Sequence, residues 1–156
     1  MRGTLVCAVT EDENQSADAL ALGAELSERL GLRLIVAHAV DGMGAIGPGH
    51  RDESVAIRAD RQGAERRLAR LAAEHGVGHR AEKRVAVGES AALLGRIAAE
   101  EAADVIVVGA PARGWRKRLD SRLAADLETE TPVPVLIAPP RKRGRRRAAT
   151  VNGRPR

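Results

Sequence analysis

Short apolar runs alternate with longer amphipathic stretches along the whole chain. The first run, Thr4 to Val9, has no helical period and is typical of a strand buried on both faces. Leu22, Leu26 and Leu30 then recur at four-residue steps, as expected for one face of a helix. The same pattern continues to the last apolar run. It predicts strands over 4–9, 32–40, 80–87, 105–109 and 135–138, and helices over 15–30, 52–75, 90–102 and 118–130.

This alternation indicates an α/β fold with a parallel sheet, helices on both faces and right-handed crossovers. A chain of 156 residues is expected to form one domain, which we place at residues 1–140. Ligands of such sheets bind at the carboxyl ends of the strands, where the strand order reverses. The loops after the first and fourth strands are therefore the candidate site.

The loop after the fourth strand has the composition of an anion site. The strand ends at Gly109, and the following residues include Gly114. Backbone N–H groups converge in strand–turn–helix connections of this kind, and the helix N-terminus favours negative charge. Trp115 fits either a lid over a ligand or a contact with the basic loop. The cations of this loop fit an anion site or an exposed helix start: Arg113, Arg116, Lys117 and Arg118.

The basic charge of the chain lies in its C-terminal tail. The chain has 26 Lys and Arg against 21 Asp and Glu, but eight of the cations and no acid lie in residues 141–156. Residues 1–140 therefore carry a net charge of −3. We expect a disordered tail at 141–156, either solvated or weakly attached to nucleic acid or another polyanion.

Few residues point to catalysis. Cys7 is the one cysteine and lies in a strand pattern, which favours a buried, inert thiol and excludes an internal disulfide. His38 fits a strand-end side chain with a local hydrogen bond better than a ligand or catalytic group. No nucleophile motif or metal-ligand spacing is present, so we do not expect an enzyme. No signal peptide or membrane span is visible, which predicts a cytoplasmic protein without membrane contact.

Four segments, taken in order and spacing, resemble the universal stress protein family. They are T-L-V-C-A-V-T, V-A-V-G-E-S-A-A-L-L, A-A-D-V-I-V-V-G-A-P-A-R-G and T-P-V-P-V-L-I-A, and the resemblance covers residues 1–138. It implies a three-layer, Rossmann-like fold with a five-stranded parallel sheet of order 3-2-1-4-5. It also implies a homodimer joined through the fifth strands, with Val135, Leu136 and Ile137 at the seam, because an uncovered apolar edge strand needs a partner.

The family's nucleotide motif is degenerate in this sequence. Many members bind ATP through Gly-x-x-Gly, nine residues and then Gly-Ser or Gly-Thr. The first element corresponds here to Gly109-Ala110-Pro111-Ala112 and the last to Ser121-Arg122, with the spacer 113–120 one residue short. The family's acidic residue after the first strand corresponds to Thr10, although acidic residues follow it directly.

These departures alter the expected pocket. Cβ atoms at Ala112 and Ser121 take up space that glycine leaves for a phosphate, and Pro111 lacks an N–H donor. ATP is the candidate ligand, and Mg²⁺ is expected only with it. The resemblance and the loop positions place adenine and ribose near Val9, Thr10, Val40 and Gly88, and the phosphates at Gly109, Ala112, Arg113, Gly114, Ser121 and Arg122.

The sequence thus predicts a non-enzymatic stress-response or regulatory module with an altered nucleotide pocket. One alternative is a protein–protein regulator that binds no nucleotide and acts through its dimer surface. Another is a polyanion binder that acts through residues 141–156. A weak ATPase ranks last, because no base or water-positioning residue is evident. Nucleotide carried by the purified protein would favour the first interpretation.

Overall fold

Strands and helices alternate through the computed structural model, which describes residues 2–40, 53–111 and 122–142. Each element follows one of the apolar patterns in the sequence. The strands are β1 (Thr4–Val9), β2 (Arg33–Val40), β3 (Glu82–Val87), β4 (Val105–Gly109) and β5 (Val135–Ala138). The helices are α1 (Glu13–Leu30), α2 (Glu53–Glu74), α3 (Ser90–Glu100) and α4 (Arg122–Glu130).

The five strands form one parallel sheet of order β3-β2-β1-β4-β5. The central strand β1 pairs with β2 on one side and β4 on the other, where Val6 lies opposite Ile35 and Ile106. The chain runs outward from β1 in both directions, so the strand order reverses beside it. The predicted fold class and strand order are confirmed.

The core consists of two layers, one on each face of the sheet. Leu5, Cys7 and Val9 of β1 face a cluster that includes α1 and α2, whereas Val6 and Ala8 face a cluster that includes α3 and α4. All six residues of β1 are buried. Burial on both faces explains why this strand reads as a continuous apolar run.

Cys7 has no exposed surface, as the inert-thiol interpretation predicts. Burial raises the pKa of its thiol, because the apolar core disfavours the charged thiolate. The thiolate is the reactive form of cysteine, so this group is unreactive in the folded protein.

The predicted boundaries lie within two residues of the observed ones except at the start of the last helix. Helix α1 begins two residues before its predicted start, because the Asp12 carboxylate caps its first turn. Strand β3 begins two residues after its predicted start, because the N–H groups of Arg80 and Ala81 donate to the Val77 carbonyl oxygen in a turn. Residues 118–121, the predicted start of the last helix, lie outside the described residues. None of the described helices combines the length and apolar character needed to cross a membrane.

Candidate functional site at the carboxyl edge of the sheet

A cleft of about 310 Å³ opens at the carboxyl edge of the sheet. It lies where β1 and its neighbours end and where the following helices begin. We call it the edge cleft. The described residues that line it are Thr10, Glu11, Asp12, Gln15, Ala39, Glu89, Ser90, Arg122, Leu123 and Asp126.

The buried side chain of Gln15 joins the ends of β1 and β4. Its Nε2 donates to the Gly109 carbonyl oxygen at 2.9 Å. Its Oε1 accepts from the Thr10 hydroxyl at 3.1 Å. The loops after the first and fourth strands therefore meet at one edge of the sheet, as the sequence predicts.

Gly109 lies so close to α1 that no other residue fits without movement. A Cβ atom at this position would be 2.0 Å from the carbonyl oxygen of Gln15. Real Cβ atoms do not approach backbone oxygens so closely. This glycine of the predicted phosphate motif thus has a packing role that does not depend on a ligand.

Ser16 of α1 stabilises the turn after β1 through hydrogen bonds. Thr10 N–H donates to the Ser16 hydroxyl oxygen at 2.9 Å. The Ser16 hydroxyl lies 3.0 Å from the Thr10 carbonyl oxygen and 2.8 Å from the Asp12 carbonyl oxygen, either of which accepts its proton. Since Ser16 has no exposed surface, the turn that carries Thr10 is held in one conformation.

His38 supports the same turn from β2. Its Nδ1 lies 2.7 Å from the Val9 carbonyl oxygen. A carbonyl accepts only, so this nitrogen carries a proton and donates. Its Nε2 lies 3.3 Å from a carboxylate oxygen of Glu11, forming an ion pair when the ring is protonated. The predicted hydrogen bond at the strand end is present, but its partner lies 29 positions away on the neighbouring strand β1. The ring is buried.

Helices α1 and α3 both begin at the edge cleft, and each is capped by a carboxylate of the chain. Asp12 accepts from the N–H groups of Asn14 and Gln15 at 2.8 and 3.0 Å. Glu89 accepts from two N–H groups in the first turn of α3, at 3.0 and 2.7 Å. The helix-terminal donors that hold anions in many α/β proteins are therefore partly occupied here.

The predicted nucleoside-binding residues lie together at this edge. Val9 ends β1 and is buried, and Thr10 lines the edge cleft. Val40 ends β2, and its carbonyl accepts the N–H of Gly88 at 2.8 Å. Gly88 has φ +140°, a conformation that favours glycine. Each of the four predicted positions thus follows or closes a neighbouring strand.

The predicted phosphate-binding residues are only partly described. Gly109 ends β4, and Arg122 is the first residue of α4 and lines the edge cleft. Four further residues of the prediction lie outside the described residues, as does Trp115. They are Ala112, Arg113, Gly114 and Ser121.

Among the described residues that line the edge cleft, the sequence analysis named Thr10 and Arg122 as ligand contacts and missed the others, including the polar side chains of Gln15 and Asp126. Gln15 lies four residues before the buried Ala19, so a polar side chain at an inward position of a predicted helix was the available signal. Asp126 lies four residues after Arg122, on the same face of α4. Among the described residues, no three His, Cys, Asp or Glu side chains are grouped so that they could hold a metal ion.

The family model for universal stress proteins matches residues 1–139. Similar solved structures include a universal stress protein in complex with cAMP (23% identity, TM-score 0.56, 87% of this chain and 95% of that one). They also include the hypothetical protein MJ0577, at 17% identity and a TM-score of 0.71, with 92% of this chain and 99% of that chain covered. A third is a universal stress protein from Archaeoglobus fulgidus in complex with dAMP. It is 19% identical with a TM-score of 0.57, and the match covers 86% of this chain and 96% of that chain. At these identities the similarity establishes the fold. No curated protein matches the sequence.

Proposed function

Because this chain belongs to the universal stress protein family, we propose that it is a non-enzymatic regulatory module whose edge cleft binds an adenine nucleotide. One observation carries the proposal: Gln15 holds the ends of β1 and β4 together beside the cleft. This is the place where ligands bind in open parallel sheets. The cAMP and dAMP complexes of two similar proteins support an adenine nucleotide as the ligand.

Thr10 presents a hydrogen-bond acceptor to the proposed ligand. Its hydroxyl proton is directed to Gln15 Oε1 at 3.1 Å, so its remaining lone pairs are available. A ribose hydroxyl or an adenine amino group is a suitable donor. Thr10 thereby takes a role that a carboxylate has in the family pattern, without adding a negative charge.

Among the cations that the structure describes, we assign Arg122 to a phosphate group of the ligand. Its position at the first residue of α4 places it at the edge cleft, and guanidinium groups bind phosphate oxygens with good geometry. The roles of Gly109, Ala112, Arg113, Gly114 and Ser121 stay predictions. ATP with Mg²⁺ remains a candidate ligand.

Titration calorimetry tests the proposal. We expect AMP or ATP with Mg²⁺ to bind the full chain, and the Arg122→Gln variant to lose about tenfold in affinity, which corresponds to about 1.4 kcal/mol. Trp115 fluorescence gives a second readout. Arg96→Gln removes an exposed arginine of α3 outside the edge cleft and is the matched control. Absence of binding at millimolar nucleotide would reject the proposal and favour a nucleotide-independent regulator.

The proposed module is a homodimer joined through β5, as members of the family often are. The support is the exposure of apolar side chains on this edge strand: Leu136 is 43% exposed and Ile137 is 53% exposed. Val135 is less exposed and pairs with Ile106 of β4. An apolar edge strand is unusual in a protein that has no partner there.

The domain boundary at residue 140 and the role of the tail stay predictions, since residues 143–156 lie outside the described residues. A chain truncated after Lys142 tests the polyanion interpretation. If the tail binds DNA or RNA, truncation abolishes salt-dependent binding in an electrophoretic mobility assay. Unchanged binding would reject it. Cytoplasmic location also stays a prediction.

A further inference from the structure

A groove of about 650 Å³ runs along the exposed face of the second half of α1. Glu25, Glu28 and Arg29 of that helix line one side, and the turn after α2 lines the other. A second groove, of about 490 Å³, continues from it to the amino ends of β1 and β2. Because both grooves include Glu28 and Arg80, we treat them as one surface and call it the arginine groove.

The arginine groove lies at the opposite end of the strands from the edge cleft. Arg2 precedes β1, Arg33 begins β2 and Arg80 precedes β3, so the groove follows the amino edge of the sheet. The two internal loops outside the described residues, 41–52 and 112–121, follow the carboxyl ends of β2 and β4. Residues 143–156 carry six arginines and no acidic side chain, so their side chains contribute only positive charge.

Positive charge prevails in the described lining of this groove, although residues 1–140 have a net charge of −3. The lining holds two glutamates, Glu25 and Glu28, and more than twice as many arginines. The arginines are Arg2, Arg29, Arg33, Arg80 and Arg141.

Two of the five arginines have carboxylate partners. Arg29 lies 3.0 Å from Glu25, and Arg33 pairs with glutamates outside the groove. Within the described part of the chain, the other three arginines form no ion pair, and Glu28 is the one lining carboxylate without such a pair. The groove therefore has an excess of cations that are available to an anion.

Arg80 is held in the groove without being neutralised. Its Nη2 donates to the Ala24 carbonyl oxygen of α1 at 3.2 Å. A carbonyl carries no net charge, so the guanidinium keeps its positive charge and its remaining N–H donors. Guanidinium groups bind phosphate oxygens through two parallel hydrogen bonds, so Arg80 is suited to a phosphate contact.

The tail leaves the domain at the same groove. The Arg141 N–H donates to the Asp18 carboxylate at 3.2 Å, and Asp18 of α1 is only 4% exposed. This bond fixes the first tail residue on α1. Burial and the positive charge of Arg141 lower the pKa of His75, and Glu74 acts in the opposite direction. The Arg141 guanidinium therefore lies close enough to His75 in the groove lining to affect its charge.

We propose that the arginine groove binds the phosphate backbone of double-stranded DNA and extends the contact made by the tail. The groove leads from Arg2 to Arg141 and so to the arginines of the tail. A long cationic path suits a polymer of phosphates better than a single anion. The chain has no Phe or Tyr and a single Trp, so it lacks the aromatic platforms on which single strands stack. The inference rests on the polyanion interpretation of the tail and is independent of nucleotide binding at the edge cleft.

Fluorescence anisotropy of a short labelled duplex, titrated with the full chain at several salt concentrations, tests the inference. Arg80→Gln and Arg141→Gln should each reduce the slope of log Kobs against log salt concentration by about 0.9, since each removes one phosphate contact. At moderate salt, each should weaken binding about five- to tenfold. The double variant should lose about twice as much slope.

Arg96→Gln is the matched control, because it removes one exposed arginine of α3, on the other face of the sheet. It should leave the slope unchanged. Arg80→Lys keeps the positive charge and should keep most of the slope. If Arg80→Gln unfolds in circular dichroism melts, Arg141→Gln decides, because its backbone N–H still bonds to Asp18.

The outcomes separate the groove from the tail. If Arg80→Gln and Arg141→Gln reduce DNA binding no more than Arg96→Gln does, the inference is wrong and the tail alone binds. If the full chain binds no DNA at low salt, the tail interpretation and the inference both fail, whereas nucleotide binding at the edge cleft is unaffected. Tighter binding to phosphatidylglycerol vesicles than to DNA, with the same losses in the variants, would assign the groove to a membrane surface and overturn the inference.

NMR titration of His75 gives a second readout that needs no variant. A DNA phosphate in the groove stabilises the protonated imidazole, so DNA should raise the pKa of His75. An unchanged His75 titration in DNA-saturated protein would place the DNA elsewhere on the molecule and refute the inference.

Discussion

The sheet ends in two edge strands, β3 and β5, whose exposed sides have opposite chemistry. Strand β3 begins with Glu82, Lys83 and Arg84, all charged. Strand β5 exposes Leu136 and Ile137 instead. Among the described strands, neither has a neighbour on its outer side, where its backbone groups could pair with another strand. The side chains therefore decide which edge accepts a partner.

The β3 edge is held by a network of ion pairs. Arg33 of β2 lies 2.6 Å from Glu82 and 2.7 Å from Glu101, which follows α3. Arg84 contacts Glu101 as well and lies 2.8 Å from Glu100. The network ties the edge strand to its neighbour in the sheet and to the helix below. It also surrounds the edge with charges that a second strand would have to desolvate.

Strand β5 has the opposite character. Its four residues carry no charge, and its two central side chains face solvent in the single chain. Since each side chain is already about half buried, covering the remainder would stabilise an assembly by roughly 0.7–1.5 kcal/mol per side chain. The comparison shows how one sheet can be closed to pairing at one edge and open at the other.

The largest expected effect comes from placing a charge on the open edge. Ile137→Lys should weaken the proposed dimer at least about a hundredfold, because both copies lose an apolar contact and two like charges approach each other. Sedimentation equilibrium measures the dissociation constant. Leu30→Lys is the control, since Leu30 is 65% exposed on α1, away from β5. A dimer that survives Ile137→Lys would show that β5 is not the interface.

A smaller effect is expected from breaking the network at the closed edge. Glu101→Gln should lower the free energy of unfolding by about 1 kcal/mol, because its carboxylate serves two arginines and its side chain is only 15% exposed. Thermal melts at fixed protein concentration measure the loss. Glu65→Gln, which breaks the exposed pair with Arg61 at 3.5 Å, should cost less. Equal losses in the two variants would contradict a special role for the network.

The network also makes stability depend on pH. The hydrogen bond from Arg33 lowers the pKa of Glu82 below its ordinary value. A carboxyl whose folded-state pKa is lowered contributes stability above its unfolded-state pKa, and this contribution is lost as the pH falls through the folded-state pKa. Glu82→Gln should therefore lower the urea midpoint at pH 7 and leave it nearly unchanged at the acid end of the transition. A difference that stays constant with pH would refute the linkage.

Much of the architecture could be predicted because it follows from burial along the chain. A parallel strand covered on both faces needs a continuous apolar run, and β1 has one from Thr4 to Val9. Its position beside both β2 and β4 came from the family resemblance, because apolar runs do not specify neighbours. The site at the ends of β1 and β4 then follows from general rules for parallel sheets.

The details of the edge cleft could not be predicted in the same way. Gln15 bonds to Gly109, which is 94 positions away in the chain, and no local pattern specifies that pairing. Asp12 and Glu89 were recognisable as helix caps. That both line one cleft appears only when the fold brings the starts of α1 and α3 together.

The smallest expected effect concerns Lys83, the charged residue of β3 whose side chain is not in the ion-pair network. Its ammonium group donates to the Gly78 carbonyl oxygen at 3.2 Å. In an Ile137→Lys background, Lys83→Val should produce weak self-association, visible only at the highest concentrations in sedimentation velocity. Valine favours strand pairing, but Glu82 and Arg84 keep their ion pairs and still oppose desolvation. Tight dimers in this double variant would mean that one lysine, rather than the network, keeps the β3 edge closed.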